Sequence, residues 1–339
     1  MRAIQYSRPG DSSVLELVDR DIPQPGPGEV RVRIVFSGVN PTDWKSRQGT
    51  GSAAGDAPAS IPNQDGSGVV VAVGPGVQHV AVGDEVWLVM AAYQRPLSGT
   101  AQEFTVVPAE RVFPLPDGAG FELGASLGVP AVTAHRALTV AEGGPDRLRP
   151  GALAGRIVLI AGGAGAVGHA AIQLARWAGA TVISTVSGDE KAALAMAAGA
   201  QHVVRYTDQD AVGQIRAIAP DGVDQVVEVA VGANEELDLA VLTPRGTIAI
   251  YANDGGVPLA VDVARSMRLN VRYQFVLLYT VGLDAIRAAA EDIAAAIRDG
   301  ALPIGAEAGL PVHRYPLAET AAAHDAVEGG IVGKVLIEV

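Results

Sequence analysis

With 339 residues the chain is long enough for two domains, and 49% hydrophobic against 18% charged residues excludes disorder on any large scale. A formal charge of −12, with no lysine- or arginine-rich run, argues against a nucleic-acid duplex or an anionic membrane as partner. The absence of cysteine removes disulfides, thiolate nucleophiles and cysteine-ligated zinc, and the six histidines form no HExxH-type pair, so no metal site is expected.

Met1 to Tyr6 reads directly as a first strand, so no signal peptide is expected and the expected address is the cytoplasm. Residues 1–129 have a β-rich texture. Glu29 to Val35 alternates apolar and polar side chains for most of its length, the mark of a half-exposed strand, and Pro23 to Gly28 turns the chain before it. Gly66 to Val89 repeats strand and turn, with Gly74-Pro75-Gly76 and Gly83-Asp84 as punctuation. Gly51 to Pro58, small and polar, reads as a surface loop. Ala141 to Gly155 is weakly helical and broken by Pro145 and Pro150.

From about residue 132 the pattern changes to strand–helix alternation, with strands expected at 157–161, 181–186, 202–205, 224–229 and 246–251. Right-handed crossovers then give a parallel, doubly wound sheet. Leu269 to Leu278 is expected as a further strand at the sheet edge, Ala285 to Arg298 as an alanine-rich helix, and Gly333 to Val339 as a strand returning to the first domain.

The most informative segment is Gly163-Ala164-Gly165-Ala166-Val167-Gly168, set between the apolar run Ile157 to Ala161 and the helical run His169 to Arg176. A buried strand, a glycine turn and a helix in this order are what a dinucleotide-binding βαβ unit requires. The glycines let the backbone approach a pyrophosphate, and the helix N-terminus offers free N–H groups and partial positive charge. Ile157 to Ala175 is uncharged, yet its four glycines, His169 and Gln173 fit a buried strand and helix better than a membrane span.

Several motifs together carry a resemblance: Gly38-Val39-Asn40-Pro41-Thr42-Asp43, Ile61 to Gly68, Val70 to Gly83, Gly128 to Ala134, the glycine turn, and Gly333-Lys334-Val335. Nearly end to end, the chain resembles the zinc-independent, zeta-crystallin-like quinone oxidoreductases of the medium-chain dehydrogenase/reductase superfamily. That resemblance implies an α/β protein with a GroES-like, β-rich catalytic domain from both chain ends, residues 1–131 and 278–339. A Rossmann NADPH-binding domain, residues 132–277, would lie between them in sequence. It also implies a homodimer joined through edge strands, here Leu269 to Leu278. Zinc alcohol dehydrogenases of the superfamily often carry Cys-His where this chain has Asn40-Pro41, and His-Glu where it has Gln64-Asp65. Without thiolate or imidazole ligands at those positions, the zinc-dependent alcohol reaction is not expected.

The same resemblance supplies site residues. The carboxylate that selects NAD falls on Val186, followed by Ser187, Lys191 and Tyr206, a set similar to the family's 2′-phosphate site for NADPH. Ser187 to Glu190 also reads as a capping box, and Lys191 as a solvated helix residue. The pyrophosphate cradle is Gly163, Ala164, Gly165, Ala166 and Val167. Asn40 is expected near the reactive ring, or alternatively in an Asx-turn before Pro41. Thr133 is expected to bond the carboxamide, or alternatively to cap the following helix. Ala230, Ala252 and Phe275 could line the cofactor cleft, although a phenylalanine is more often core. Lys334 could reach the cofactor, or be a plain surface lysine.

For chemistry the candidates are Asn40, Thr42 and Lys45, with Lys45 standing where many quinone oxidoreductases have tyrosine. Lys45 or a bound water could stabilise a substrate oxyanion; equally, Asp43 and Lys45 could make only structural or surface contacts. The resemblance implies NADPH-dependent reduction of a quinone. An NADPH-dependent reductase of enones or alkenals fits the same motifs, and a non-catalytic NADPH-binding protein is the third reading.

Overall fold

A computed structural model describes residues 1–50, 59–208 and 210–339 of the chain; the expected loop Gly51 to Pro58 lies outside the described residues. The chain divides into two compact units, residues 1–129 with 312–339, and residues 130–311.

The first unit begins with β1 (Arg2–Gln5) and β2 (Glu16–Asp19), an antiparallel pair. Its main strand is β3 (Glu29–Val39), in which Val30, Val32 and Ile34 are buried while Arg33 points outward, the alternation expected of a sheet with one wet face. α1 (Pro41–Arg47) follows directly, then β4 (Asp65–Val73), β5 (Glu85–Leu88), β6 (Phe104–Pro108) and β7 (Val112–Pro114). Strands β3, β4, β5 and β7 pair antiparallel in that order, and β6 pairs with Glu29 to Arg33 along the other edge of β3. α2 (Phe121–Leu138) carries the chain from the first unit to the second and is broken at Gly128, where the backbone leaves helical geometry.

The second unit alternates β8 (Ile157–Ala161), α3 (Ala166–Trp177), β9 (Thr181–Val186), α4 (Asp189–Ala197), β10 (His202–Arg205) and α5 (Ala211–Ile218). It continues through β11 (Val223–Glu228), α6 (Val231–Val241), β12 (Leu242–Ile250), α7 (Val263–Leu269), β13 (Arg272–Phe275) and α8 (Leu283–Arg298). All six strands are parallel, in the order β10-β9-β8-β11-β12-β13. Counted within the unit this is 3-2-1-4-5-6, the Rossmann order, with its switch point between β8 and β11. Ile183, Leu159, Val226 and Ile248 form one buried row in register across four strands. With helices on both faces, these strands read as continuous apolar runs rather than alternating ones.

The edge strand at Leu269 to Leu278 is present but shorter, as β13. The stretch 141–155 forms turns rather than helix. The larger difference concerns residues 278–311, assigned from sequence to the catalytic domain but packed within the second unit. Asp292 of α8 accepts from His135 Nε2 at 2.8 Å and pairs with Arg147 at 2.6 Å. Further along, Gln173 Nε2 donates to Pro303 O and His169 Nε2 bonds Ala308 O. These polar ties anchor α8 and the chain after it, so the return to the first unit comes only at residue 312.

There β14 (Val312–Pro316), α9 (Thr320–Glu328) and β15 (Lys334–Glu338) complete the first unit. β15 pairs antiparallel with the end of β3 and parallel with β14. Among the described residues no helix is long and apolar enough to cross a membrane.

Candidate active site

Three neighbouring strands of the first unit end at the same place. The registers Val335↔Val39 and Gly38↔Asp65 put Lys334, Asn40 and Asp65 side by side at one end of the β15–β3–β4 sheet. All three are buried, Lys334 and Asp65 almost completely. Lys334 Nζ donates to Asn40 Oδ1 at 2.8 Å and lies 3.5 Å from Asp65 Oδ2, while Asn40 Nδ2 donates to Asp65 Oδ2 at 2.7 Å. Asp65 Oδ1 accepts the Val129 N–H at 2.7 Å. That N–H is available because the break at Gly128 takes it out of the helical ladder.

The packing leaves no room for side chains at two glycines here. A Cβ on Gly38 would overlap Ala125 O and press on the Lys334 stem at 3.1 Å, and a Cβ on Gly128 would overlap the Asp65 carboxylate. Asn40 is the residue before α1, and Asp43 closes the turn by accepting Asn40 N–H at 2.7 Å and Gln64 N–H at 3.1 Å. Burial, reinforced by the neighbouring Asp65 charge, pushes the Asp43 carboxyl up to about 8. Burial also pushes Asp65 up and Lys334 down, each toward its neutral form, while their mutual attraction opposes both shifts. Asp43 borders a cavity of about 310 Å³ lined also by Tyr6, Ser46, Asn63 and Gln64.

Several sequence expectations change in this setting. Lys334 is not a surface lysine, because its strand is interior to the sheet, flanked by β14 and β3. The Asn40 side chain is held by Asp65 and Lys334, and Asn40 also forms the capping box with Asp43 at the start of α1, in keeping with the alternative reading of a local turn. Asp43 is buried and structural, whereas Thr42 and Lys45 are half-buried on α1, with Lys45 Nζ 5.4 Å from the Trp44 ring centre. Asp65 is the member of this cluster that the sequence motifs do not single out as a site residue. The signal available was an acidic residue opening an apolar strand, where a buried charge needs a partner.

In the second unit the glycine turn sits between β8 and α3, at the carboxyl edge of the sheet. Gly162 has φ +68, and a Cβ on Gly163 would overlap Ser184 Oγ. Gly165 is the N-cap of α3, with no side chain to cap the helix, and a Cβ there would meet only Gly162 O, at 3.4 Å. The first N–H groups of α3 therefore have no side-chain cap, and no side chain crowds Gly165, with Ala164, Ala166 and Val167 completing the turn. This cradle fits the pyrophosphate of a dinucleotide.

Past β9, Tyr206 N donates to Val186 O at 3.1 Å, which places Tyr206 beside Ser187. Lys191 is exposed on α4. The capping box expected at Ser187 is not formed: β9 runs to Val186, the chain needs Ser187 and Gly188 to turn, and Gly188 is the N-cap. Asp189 is held by Arg205 Nη1 at 2.6 Å, which offsets the negative charge beside the proposed phosphate site. Thr133 lies inside α2 and is buried, so it caps no helix. Ala230 bridges to Asn253, next to Ala252, and Phe275 pairs in register with Ile250. All three nominated residues thus lie at strand ends on the carboxyl edge. Phe275 is 65% exposed rather than core, since β13 is an edge strand. Among the described residues, no three His, Cys, Asp or Glu side chains converge as a metal site would need.

Comparison with known proteins agrees with this architecture. An alcohol dehydrogenase GroES-like domain model matches residues 26–117 and a zinc-binding dehydrogenase model matches 166–295. A quinone oxidoreductase of Lama guanicoe is 30% identical over 341 aligned residues, covering 99% of this chain and 97% of that protein. A mycobacterial protein solved in complex with NADPH is 30% identical with TM-score 0.83, covering 100% of both chains. A solved NAD-dependent alcohol dehydrogenase is 29% identical with the same TM-score of 0.83, again over 100% of both. With its GroES-like and Rossmann domains and a match running end to end, the chain belongs to the medium-chain dehydrogenase/reductase superfamily of oxidoreductases.

Proposed function

We propose that the chain is an NADPH-dependent, zinc-independent quinone oxidoreductase. The observation that carries this reading is the β8–α3 turn, where Gly165 leaves open space before an uncapped helix N-terminus at the carboxyl edge of a Rossmann sheet. Residues Gly163 to Val167 would hold the pyrophosphate. Ser187, Lys191 and Tyr206 would hold the 2′-phosphate, with Lys191 supplying the charge. Asn40, Thr133, Ala230, Ala252 and Phe275 would orient the nicotinamide half. When bound, the reduced nicotinamide supplies hydride.

A quinone acceptor is supported by the end-to-end likeness to quinone oxidoreductases. Its product oxyanions are weakly basic, so little proton assistance is needed, and Thr42 and Lys45 on α1 are the candidates to stabilise them. Zinc independence is supported by the occupants of the positions that carry zinc ligands in the alcohol dehydrogenases. Asn40 and Asp65 are already engaged with the Lys334 ammonium, and a dication brought there would face that like charge in a buried setting. The proposal includes a cytoplasmic homodimer joined through the β13 edges.

Fluorescence titration with NADPH and NADH, followed by turnover of 1,4-benzoquinone and a 2-alkenal, tests the reading. The expected result is tighter binding of NADPH and faster reduction of the quinone. A preference for the alkenal would replace the substrate class, and binding without oxidation of NADPH by either would replace enzyme by binding protein. Lys45→Met is expected to slow quinone turnover; unchanged rates would remove Lys45 from the mechanism.

A further inference from the structure

We infer that Lys334 and Asp65 are positioning residues that lock the Asn40 amide in one orientation, leaving a single N–H for an oxygen acceptor on the bound molecule. The argument starts from donor and acceptor inventory. A lysine ammonium only donates and a carboxylate only accepts. The partners of Asn40 are one of each: Lys334 Nζ at 2.8 Å from Oδ1, and Asp65 Oδ2 at 2.7 Å from Nδ2. Turning the amide over would set Oδ1 against the carboxylate and the NH2 against the ammonium, so both contacts would become repulsive at once. With Lys334 and Asp65 fully enclosed, no water is at hand to relieve the reversed arrangement.

The fold spends three strands and two glycines on this arrangement. β15, β3 and β4 deliver the residues in register, Gly38 makes room for the Lys334 stem, and Gly128 makes room for the Asp65 carboxylate. Val129 N–H fixes the other carboxylate oxygen, so Asp65 cannot rotate away from Asn40 without losing that bond. Of the two Nδ2 hydrogens, one is used by Asp65 and the other remains. Asn40 is thereby restricted to donating toward whatever it meets, where a free asparagine could either donate or accept.

This inference rests on the reading of Asn40 as a cofactor-side residue, and its test has a readout in cofactor-free protein. Lys334→Met, Asp65→Asn and the double variant are compared with wild type. Hydrogen exchange of the Asn40 side-chain amide is followed by NMR, alongside the melting temperature, NADPH affinity and kcat/KM. In wild type the Asn40 N–H bonded to Asp65 is protected, and in Lys334→Met it exchanges at least about tenfold faster. Either single variant lowers kcat/KM at least about tenfold. The double variant, which removes both buried charges together, regains most of the lost melting temperature but not the turnover. Should the double variant recover turnover along with stability, the pair serves charge balance alone and the inference falls. Unchanged Asn40 exchange in Lys334→Met overturns it too. If wild type fails to oxidise NADPH, the functional reading fails, while the exchange measurement still decides whether the amide is locked.

Discussion

Gly165→Ala separates the fold from cofactor binding more cleanly than any other single change in the glycine turn. The residue has φ −79 and ψ 160, an extended conformation open to alanine, and the new Cβ meets only Gly162 O, at 3.4 Å. Two small stability terms oppose each other. Removing a glycine restricts the unfolded chain and stabilises by about 0.4–1 kcal/mol. Alanine is a poorer N-cap than glycine, and that costs about 0.5–1 kcal/mol. The two nearly cancel, so the melting temperature should stay within about 3 °C of wild type. The new methyl group would fill open space at the turn where the pyrophosphate is proposed to sit. Pushing the phosphate back by even part of a methyl radius weakens charge-assisted bonds worth about 1.5–3 kcal/mol each. The NADPH dissociation constant should therefore rise at least about tenfold, which corresponds to about 1.4 kcal/mol. Thermal melts of the free protein and fluorescence titration measure the two halves. Gly163→Ala is the contrasting control: its Cβ would overlap Ser184 Oγ, and it should lower the melting temperature as well. An unaltered NADPH affinity in a normally folded Gly165→Ala protein would refute the cradle.

Two further expectations concern the second unit. Glu228 and Asp238 are buried together; burial raises both carboxyls above their ordinary range, and the Glu228 charge adds to the shift of Asp238. The folded state therefore holds a proton that the unfolded state releases near pH 4. Its contribution is complete below that pH and is lost as pH rises through the raised values, at up to about 1.4 kcal/mol per pH unit per proton. Asp238→Asn supplies the hydrogen permanently, so its melting temperature should fall less steeply than that of wild type as pH rises from about 4 through the raised values; parallel curves would argue against a shared proton. At the sheet edge, Phe275 is exposed at 65%, close to Met267 and Val263 in the sequence and similarly exposed. Phe275→Asp should shift a dimer toward monomer in light scattering, raising its dissociation constant at least about tenfold. A monomeric wild type, or a variant dimer of unchanged strength, would exclude this edge as the contact.

Much of the architecture was legible in the residues themselves. Apolar runs of five or six between helical segments fix parallel strands, because a strand covered on both faces leaves no polar alternation to read. The glycine spacing then locates the carboxyl-edge turn, since only that sequence allows a strand, a sharp turn and a helix start in so few residues. Local signals also gave the alternation in β3 and a last strand expected to return to the first domain, where it pairs with β3. What failed were statements about long-range neighbours. Ser187 looked like a cap because the end of β9 depends on how far its neighbours continue to pair. Residues 278–311 looked like the start of the returning domain until Asp292, Pro303 and Ala308 found partners more than a hundred residues earlier.

The polar cluster makes the same division clear. Gly-Val-Asn-Pro, the acidic residue opening β4 and the terminal Gly-Lys-Val each stand out in the sequence, but they are separated by up to 294 residues. Composition and periodicity determined two kinds of domain, a dinucleotide-type turn and a chain without thiol ligands, because each depends on residues near one another in sequence. Only the tertiary structure decided that Lys334 is enclosed, that Asp65 is its counter-charge and that Asn40 lies between them, because sheet register alone brings β15, β3 and β4 to a common end.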